Sequence, residues 1–190
     1  DANRDGNRLG VFGRQFDENG MALDDDFQVN TLTSGDQDGI ALAMNDKGEA
    51  MAVWMSGVNI KEIQVQAFDS NGTKDGAYFR LGSGDLGFAP DVDLNDEGQA
   101  IVAWEGLDNS GLGIYAQRME ADGDLVGERI TVINSGGSQK ETQVGIADNG
   151  NFMVAWLDDE ATVRFSLYEQ TDTTLTRIRF GRSVCQSSDI

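Results

Sequence analysis

The chain has 190 residues, 39% hydrophobic and 25% charged, which is enough to build a packed core and too apolar for a disordered segment. Its 33 acidic residues against 14 basic ones give a net charge of −19, a surface that repels nucleic acid and anionic membranes, since both are bound by displacing counterions with Lys and Arg. The chain has no His and a single Cys, Cys185, which excludes Ser-His-Asp and Cys-His centres, His-type zinc sites and any intrachain disulfide.

No apolar run approaches 18 residues, so no helical membrane span is expected. There is no Gly-x-x-x-x-Gly-Lys-Ser/Thr phosphate loop. With 24 Gly and one Pro, glycine must make most of the turns, which points to many short hairpins.

The first ten residues contain Asp5-Gly6-Asn7-Arg8-Leu9-Gly10, which parallels Asp108-Asn109-Ser110-Gly111-Leu112-Gly113 further along. They read as the loop that follows a strand of an earlier repeat. From there each period of about 50 residues holds four predicted strands, here lettered a to d.

Strand a begins at Val11, Ile63, Ile114 and Val163, and ends in a turn: Phe16-Asp17-Glu18-Asn19-Gly20, Phe68-Asp69-Ser70-Asn71-Gly72, Met119-Glu120-Ala121-Asp122-Gly123, then a decayed Tyr168-Glu169-Gln170. Strand b carries apolar pairs two apart, Phe27/Val29, Phe79/Leu81, Ile130/Val132 and Ile178/Phe180, a spacing that puts both side chains on one sheet face.

Strand c alternates Ile40/Leu42/Met44, Val92/Leu94 and Val144/Ile146 against a small or polar face of Ala41/Ala43, Asp91/Asp93 and Gln143/Gly145. Strand d is a nearly continuous apolar run that follows an Asn/Asp-Gly turn and ends at Trp54, Trp104 or Trp156, the pattern of a strand buried on both faces. No segment shows a capped apolar period of 3.6, so no helix is expected.

Four antiparallel strands per period, in tandem, predict an all-β fold of β-propeller blades. One blade cannot bury both its faces, so blades require neighbours. The three tryptophans, one per copy in the same register, are placed between adjacent blades. The chain reads as one repeat array over 1–190, with repeats at approximately 9–59, 60–110 and 111–160 and a partial copy at 161–190. That makes fourteen strands, about three and a half blades, to be completed by the rest of a longer parent chain or by a second copy. The tail from Gly181 departs from the pattern.

The sequence resembles the tandem repeats of about 50 residues in very large secreted bacterial surface proteins. The likeness rests on Gly113-Ile114-Tyr115-Ala116-Gln117-Arg118-Met119 with Asp122-Gly123, on Gln28-Val29-Asn30-Thr31, and on the Val-Ala-Trp endings at Val102-Ala103-Trp104 and Val154-Ala155-Trp156. Calcium-binding or adhesion repeats often accompany such arrays, so the resemblance implies export and a secreted or cell-surface role. It supplies no catalytic residues.

Asp1-Ala2-Asn3-Arg4-Asp5-Gly6 matches the start of an oxygen-rich calcium loop, which makes Asp1, Asn3 and Asp5 the candidate metal ligands and calcium the candidate cofactor. The Glu such a loop carries at its twelfth position is replaced by Phe12, and a plain hairpin accounts for the same residues. Asp17/Asn19, Asp69/Asn71 and Glu120/Asp122 recur at the a–b turns, where Asp and Asn are good turn formers in their own right.

Asp91 and Asp93 look like paired carboxylates. Glycosidases, however, place their two on opposite sides of the scissile bond, and the other copies have Ala41/Ala43 and Gln143/Gly145 here. Phe12, Tyr78, Phe88 and Tyr115, near strand ends, can either stack on sugars or pack in the core. The expected function is a non-catalytic extracellular scaffold or adhesion module presenting loops to a glycan or protein partner. The alternatives are a fragment of a propeller enzyme acting on polysaccharide (glycoside hydrolase or lyase) and a self-assembling filament subunit.

Overall fold

A computed structural model describes residues 4, 6–81, 87–108, 111–134, 136–170 and 175–183, from 178 onward by backbone alone. Among these residues there is no helix. The strands are β1 (Phe12–Gly13), β2 (Phe27–Gln28), β3 (Asp36–Met44), β4 (Ala50–Gly57), β5 (Glu62–Phe68), β6 (Lys74–Leu81) and β7 (Gly87–Leu94). They continue with β8 (Gln99–Leu107), β9 (Leu112–Glu120), β10 (Leu125–Ile133), β11 (Lys140–Ile146), β12 (Phe152–Leu157), β13 (Val163–Gln170) and β14 (Leu175–Ser183).

They form three four-stranded antiparallel sheets, β3-β4-β5-β6, β7-β8-β9-β10 and β11-β12-β13-β14, and one two-stranded sheet, β1-β2. The protein is therefore all-β and made of blade-like sheets. Each full sheet takes strands c and d from one sequence period and a and b from the next. The sheet boundary thus falls between b and c, half a period from a count that starts at strand a. Locally, the c–d, d–a and a–b connections are hairpins, which make neighbours of the strands they join.

Glycine closes the hairpins. In the c–d turns Gly48, Gly98 and Gly150 have φ of 84°, 80° and 78°, a conformation that costs a residue with a Cβ about 1 kcal/mol or more. The glutamine recurring near the end of strand a is structural as well. Gln66 and Gln117 are buried, and their Nε2 groups donate to backbone carbonyls of both their own strand and the adjoining strand b, at Asp75 and Val126, where the ladder register shifts.

The sheets stack face to face. The first interface joins Met51, Val53, Ile63, Val65, Ala67 and Leu81 of the first sheet to Val92, Leu94, Val102, Trp104, Tyr115 and Met119 of the second. The next joins Ile101, Ala103, Ile114, Ala116 and Val132 to Phe152, Val154, Trp156 and Tyr168. The two-stranded sheet covers the outer face of the first sheet through Val11 and Val29, which meet Ala50, Ala52, Trp54 and Phe68. All three tryptophans are fully buried, each toward the sheet that precedes it.

Strands β3, β7 and β11 make the closest approach between sheets. Each is broken by a bulge at the same register, between Asp38 and Ala41, Phe88 and Asp91, and Lys140 and Gln143. The residue inside each bulge is left-handed: Gly39 at φ 60°, Ala89 at 42° and Glu141 at 55°. Only the first copy uses glycine there. Ala89→Gly is expected to stabilise the chain by about 1 kcal/mol, since a left-handed alanine carries a strain of that order which glycine does not. Urea titration of the two proteins checks it; a variant no more stable than the parent would refute the strain.

The apolar face of strand c behaves differently from copy to copy. Val92 and Leu94 are 6% and 5% exposed, whereas Ile40, Leu42 and Met44, in the same register of β3, are 52%, 62% and 64% exposed. The reason is topological. β3 lies in front of β7, and β7 in front of β11, but the two-stranded sheet offers no strand c to lie in front of β3.

Candidate functional site

The three bulges converge on one concavity of about 470 Å³, lined by Gly39, Ile40, Ala89, Pro90, Glu141, Thr142 and Gln143. Its wall is built by the same backbone device three times, but its side chains differ at every copy. Ile40 and Pro90 supply apolar surface. Gln143 donates Nε2 to the Thr142 carbonyl at 2.9 Å, leaving its carbonyl oxygen as an acceptor, and the buried Thr142 Oγ1 has no hydrogen-bond partner among the described residues.

Below the concavity, Asp91 and Asp93 are committed to backbone. Asp91 Oδ2 accepts the Val144 N–H at 2.9 Å and Asp93 Oδ2 accepts the Ile146 N–H at 2.8 Å. Glu105 extends the series by accepting the N–H of the bulge residue Glu141 at 2.7 Å. The N–H groups of Val144 and Ile146 alternate along the edge of β11 that β12 leaves unpaired, and that of Glu141 lies in the bulge before them, so three carboxylates of the second sheet cap the inner strand of the third. The pair that looks like an acid–base dyad in the sequence thus fastens one sheet to the next. The first copy, with Ala41 and Ala43, makes its interface from small apolar groups instead.

Burial holds the carboxyls of Asp91 and Glu105 above the usual carboxylate range, against the opposing pull of the N–H bonds from Val144 and Glu141. An acid whose folded pKa lies above its unfolded value binds its proton more tightly when folded. The stability this contributes is fully present below the unfolded value and is lost as pH rises through the folded one. Glu105→Gln keeps an acceptor for the Glu141 N–H and removes the charge. It is expected to melt higher than the parent at pH 7, the gap closing as pH falls through the carboxylate range. A gap that stays constant from pH 7 to 3 would show that burial of this charge is not its cause.

Asp1, Asn3 and Asp5, the candidate calcium ligands, lie outside the described residues, as does Cys185. At the a–b turns Asp17 Oδ1 accepts the N–H groups of Asn19 and Met21, and Asp69 Oδ1 those of Asn71 and Thr73, all at 2.8–2.9 Å. In the third copy the acceptor is Asp122, which takes the Asp124 N–H at 3.0 Å. The N–H of Thr73 holds Asp69 below the usual carboxylate range. An acidic cleft of about 380 Å³ opens beside these turns, lined by Glu49, Asp69, Asp75, Glu120 and Asp122 among others. Among the described residues no group of three or more acidic, His or Cys side chains is arranged to hold a metal ion.

Of the aromatic candidates, Tyr115 is buried and stacked on Trp104 with centroids 6.3 Å apart, and Phe12 lies half-buried under the Arg4 guanidinium. Tyr78 and Phe88 are half-buried. A second cavity, about 220 Å³, lies between the second and third sheets beside Gln139, Trp156 and the Asp158–Arg164 ion pair. The buried Gln139 Oε1 has no partner there, whereas Gln37 Oε1, its counterpart two copies earlier, accepts from Asn30 Nδ2 at 3.2 Å. Ile133 holds the register of Asn30 and cannot donate.

No protein-family model matches this chain, and no curated protein does. Among solved structures, it is similar to the Hadza microbial sialidase Hz136, at 14% identity and a TM-score of 0.48, over 77% of this chain and 38% of that one. It is also similar to the endo-arabinase from Bacteroides thetaiotaomicron VPI-5482, at 14% identity and a TM-score of 0.42, over 81% of this chain and 61% of that one. The chain accordingly spans less than two thirds of the length of either.

Proposed function

We propose that the chain is a non-catalytic, secreted or cell-surface scaffold of the adhesion type, whose central concavity binds a glycan. The observation that carries this reading is the concavity itself. Three copies of one backbone device hold it open, while the residues on it have diverged to Gly39-Ile40, Ala89-Pro90 and Glu141-Thr142-Gln143. A constant frame with variable residues at one place is how repeat folds present a binding surface.

The mixture of groups suits a sugar, which offers an apolar C–H face and several hydroxyls. Ile40 and Pro90 match the former; the Gln143 carbonyl and the Glu141 carboxylate, both exposed, match the latter. The net charge of −19 favours neutral over acidic glycans.

A glycan array followed by titration calorimetry tests the proposal. A neutral oligosaccharide should bind, and Gln143→Ala should weaken it about tenfold, as expected when one buried hydrogen-bond partner is removed. An array without a hit overturns the reading. Release of reducing ends or unsaturated sugars from a polysaccharide replaces it with the enzymatic alternative.

A further inference from the structure

In every four-stranded sheet strand a lies between d and b. β5, for example, pairs with β4 from Ala50↔Phe68 to Ser56↔Glu62 and with β6 on its other side. β1 is a strand a that pairs with β2 alone. The missing partners leave a second mark on the first sheet, the exposed stripe Ile40, Leu42 and Met44. That stripe continues the interface already formed by Val11 and Val29 with Ala52 and Trp54.

We propose that this face is the docking site for a strand c–strand d hairpin of the same repeat. Its strand d would add to the free edge of β1, and its strand c would cross the stripe. The two-stranded sheet would then become a fourth complete sheet. The chemistry of the occupant can be read from the equivalent interface inside the molecule. Val92 and Leu94 are covered by Ala41 and Ala43 of β3, with Met51 and Val53 of β4 beside them. The hairpin therefore presents small apolar residues two apart on strand c and larger ones on strand d.

A whole second copy of the chain does not fit the role. β4, β8 and β12, its own strands d, are each paired on both edges and have none to give. The inference rests on sheet topology and does not depend on glycan binding.

The experiment fuses a second copy of residues 36–57 ahead of Asp1, so that residues 1–10 serve as the d–a loop, and follows thermal melting and sedimentation. The fusion should remain monomeric and melt about 5 °C or more above the parent. Leu42→Asp in the host β3 should abolish that gain, yet move the melting point of the unfused chain by no more than a degree or two, because Leu42 is exposed there. Three results would overturn the proposal: no gain on fusion, a gain that survives Leu42→Asp, or an unfused chain that sediments as a dimer which Leu42→Asp dissociates.

Discussion

Trp104→Ala is expected to destabilise the chain by about 3–5 kcal/mol, the range for emptying a buried aromatic site. Its indole is fully buried between the first and second sheets, packed with Val53, Val65 and Val102 and stacked on Tyr115 at an interplanar angle of 29°. Close to it the Arg129 guanidinium sits 4.7 Å over the other aromatic ring. Little can collapse into the space, because both walls are hydrogen-bonded sheets whose separation other contacts fix. For a chain of this length the loss corresponds to a fall in melting temperature of roughly 10 °C.

The same change at Trp54 should cost less. Trp54 is equally buried, but its cover is the two-stranded sheet, whose own ladder is two residue pairs long, Phe12↔Gln28 and Gly13↔Phe27, so that the cover can settle inward or detach. Urea titration of the two variants, read through both midpoint and slope, gives the comparison. A smaller slope for Trp54→Ala would mark loss of the two-stranded sheet before global unfolding. Equal losses at the two sites would contradict the picture of a fixed interface beside a loose one.

Much of this architecture is legible in the residues. Strand d is apolar on both faces and buried on both in β4 and β8, whose sheets have a neighbour on each side, and so the run ending in Trp stands out; β12 follows the same pattern, but its sheet has one neighbour among the described residues and Met153 is 45% exposed. The a–b and c–d turns declare themselves because a left-handed position at a hairpin needs glycine, and an Asp or Asn beside it caps the free N–H groups. A period says how often strands recur but not which of them share a sheet, and the division between b and c follows only from pairing.

The faces of strand c show the same limit. Leu42 and Val92 are equivalent in sequence and opposite in exposure, because exposure depends on whether another strand c lies in front. The three bulges left no common trace, since Gly39, Ala89 and Glu141 share a backbone conformation and no side-chain property.

Asp91 and Asp93 could be recognised as a pair on one strand face. Their use as caps needs the edge of β11, 53 residues away in sequence, to be known as their neighbour. The concavity is not legible in the sequence for the same reason: its residues are ordinary one by one and meet only where three sheets converge. A comparison of the copies held the available signal, because positions 39–40, 89–90 and 141–143 diverge inside otherwise regular strands.

Asn95→Ala should cost about 2–4 kcal/mol, second only to the buried indole, because one buried amide joins two sheets and shapes a turn. Asn95 Nδ2 donates to the Ala147 carbonyl of the third sheet at 2.9 Å and to Gln99 Oε1 at 3.0 Å, while Oδ1 accepts the N–H groups of Glu97 and Gln99. One copy earlier Asn45 Nδ2 reaches the Asn95 carbonyl at 3.1 Å, so the asparagines run from sheet to sheet until Ala147, which has no amide to pass the bond on.

Asn95→Asp separates the two roles. Aspartate keeps the acceptor for the turn, and the turn N–H groups favour its charged form as they do at Asp69, so if only the turn mattered the variant would be at least as stable as the parent at pH 7 and lose ground as pH falls. If the bond between sheets matters, a carboxylate at neutral pH faces two oxygen acceptors and its pKa is raised in the fold. The deficit relative to the parent should then be largest at pH 7 and shrink as pH falls through the carboxylate range, where the protonated acid can donate again. Thermal melts of parent and variant from pH 7 to 4 decide between them, and a variant that matches or exceeds the parent at pH 7 and falls behind as pH drops would leave Asn95 as a turn residue alone.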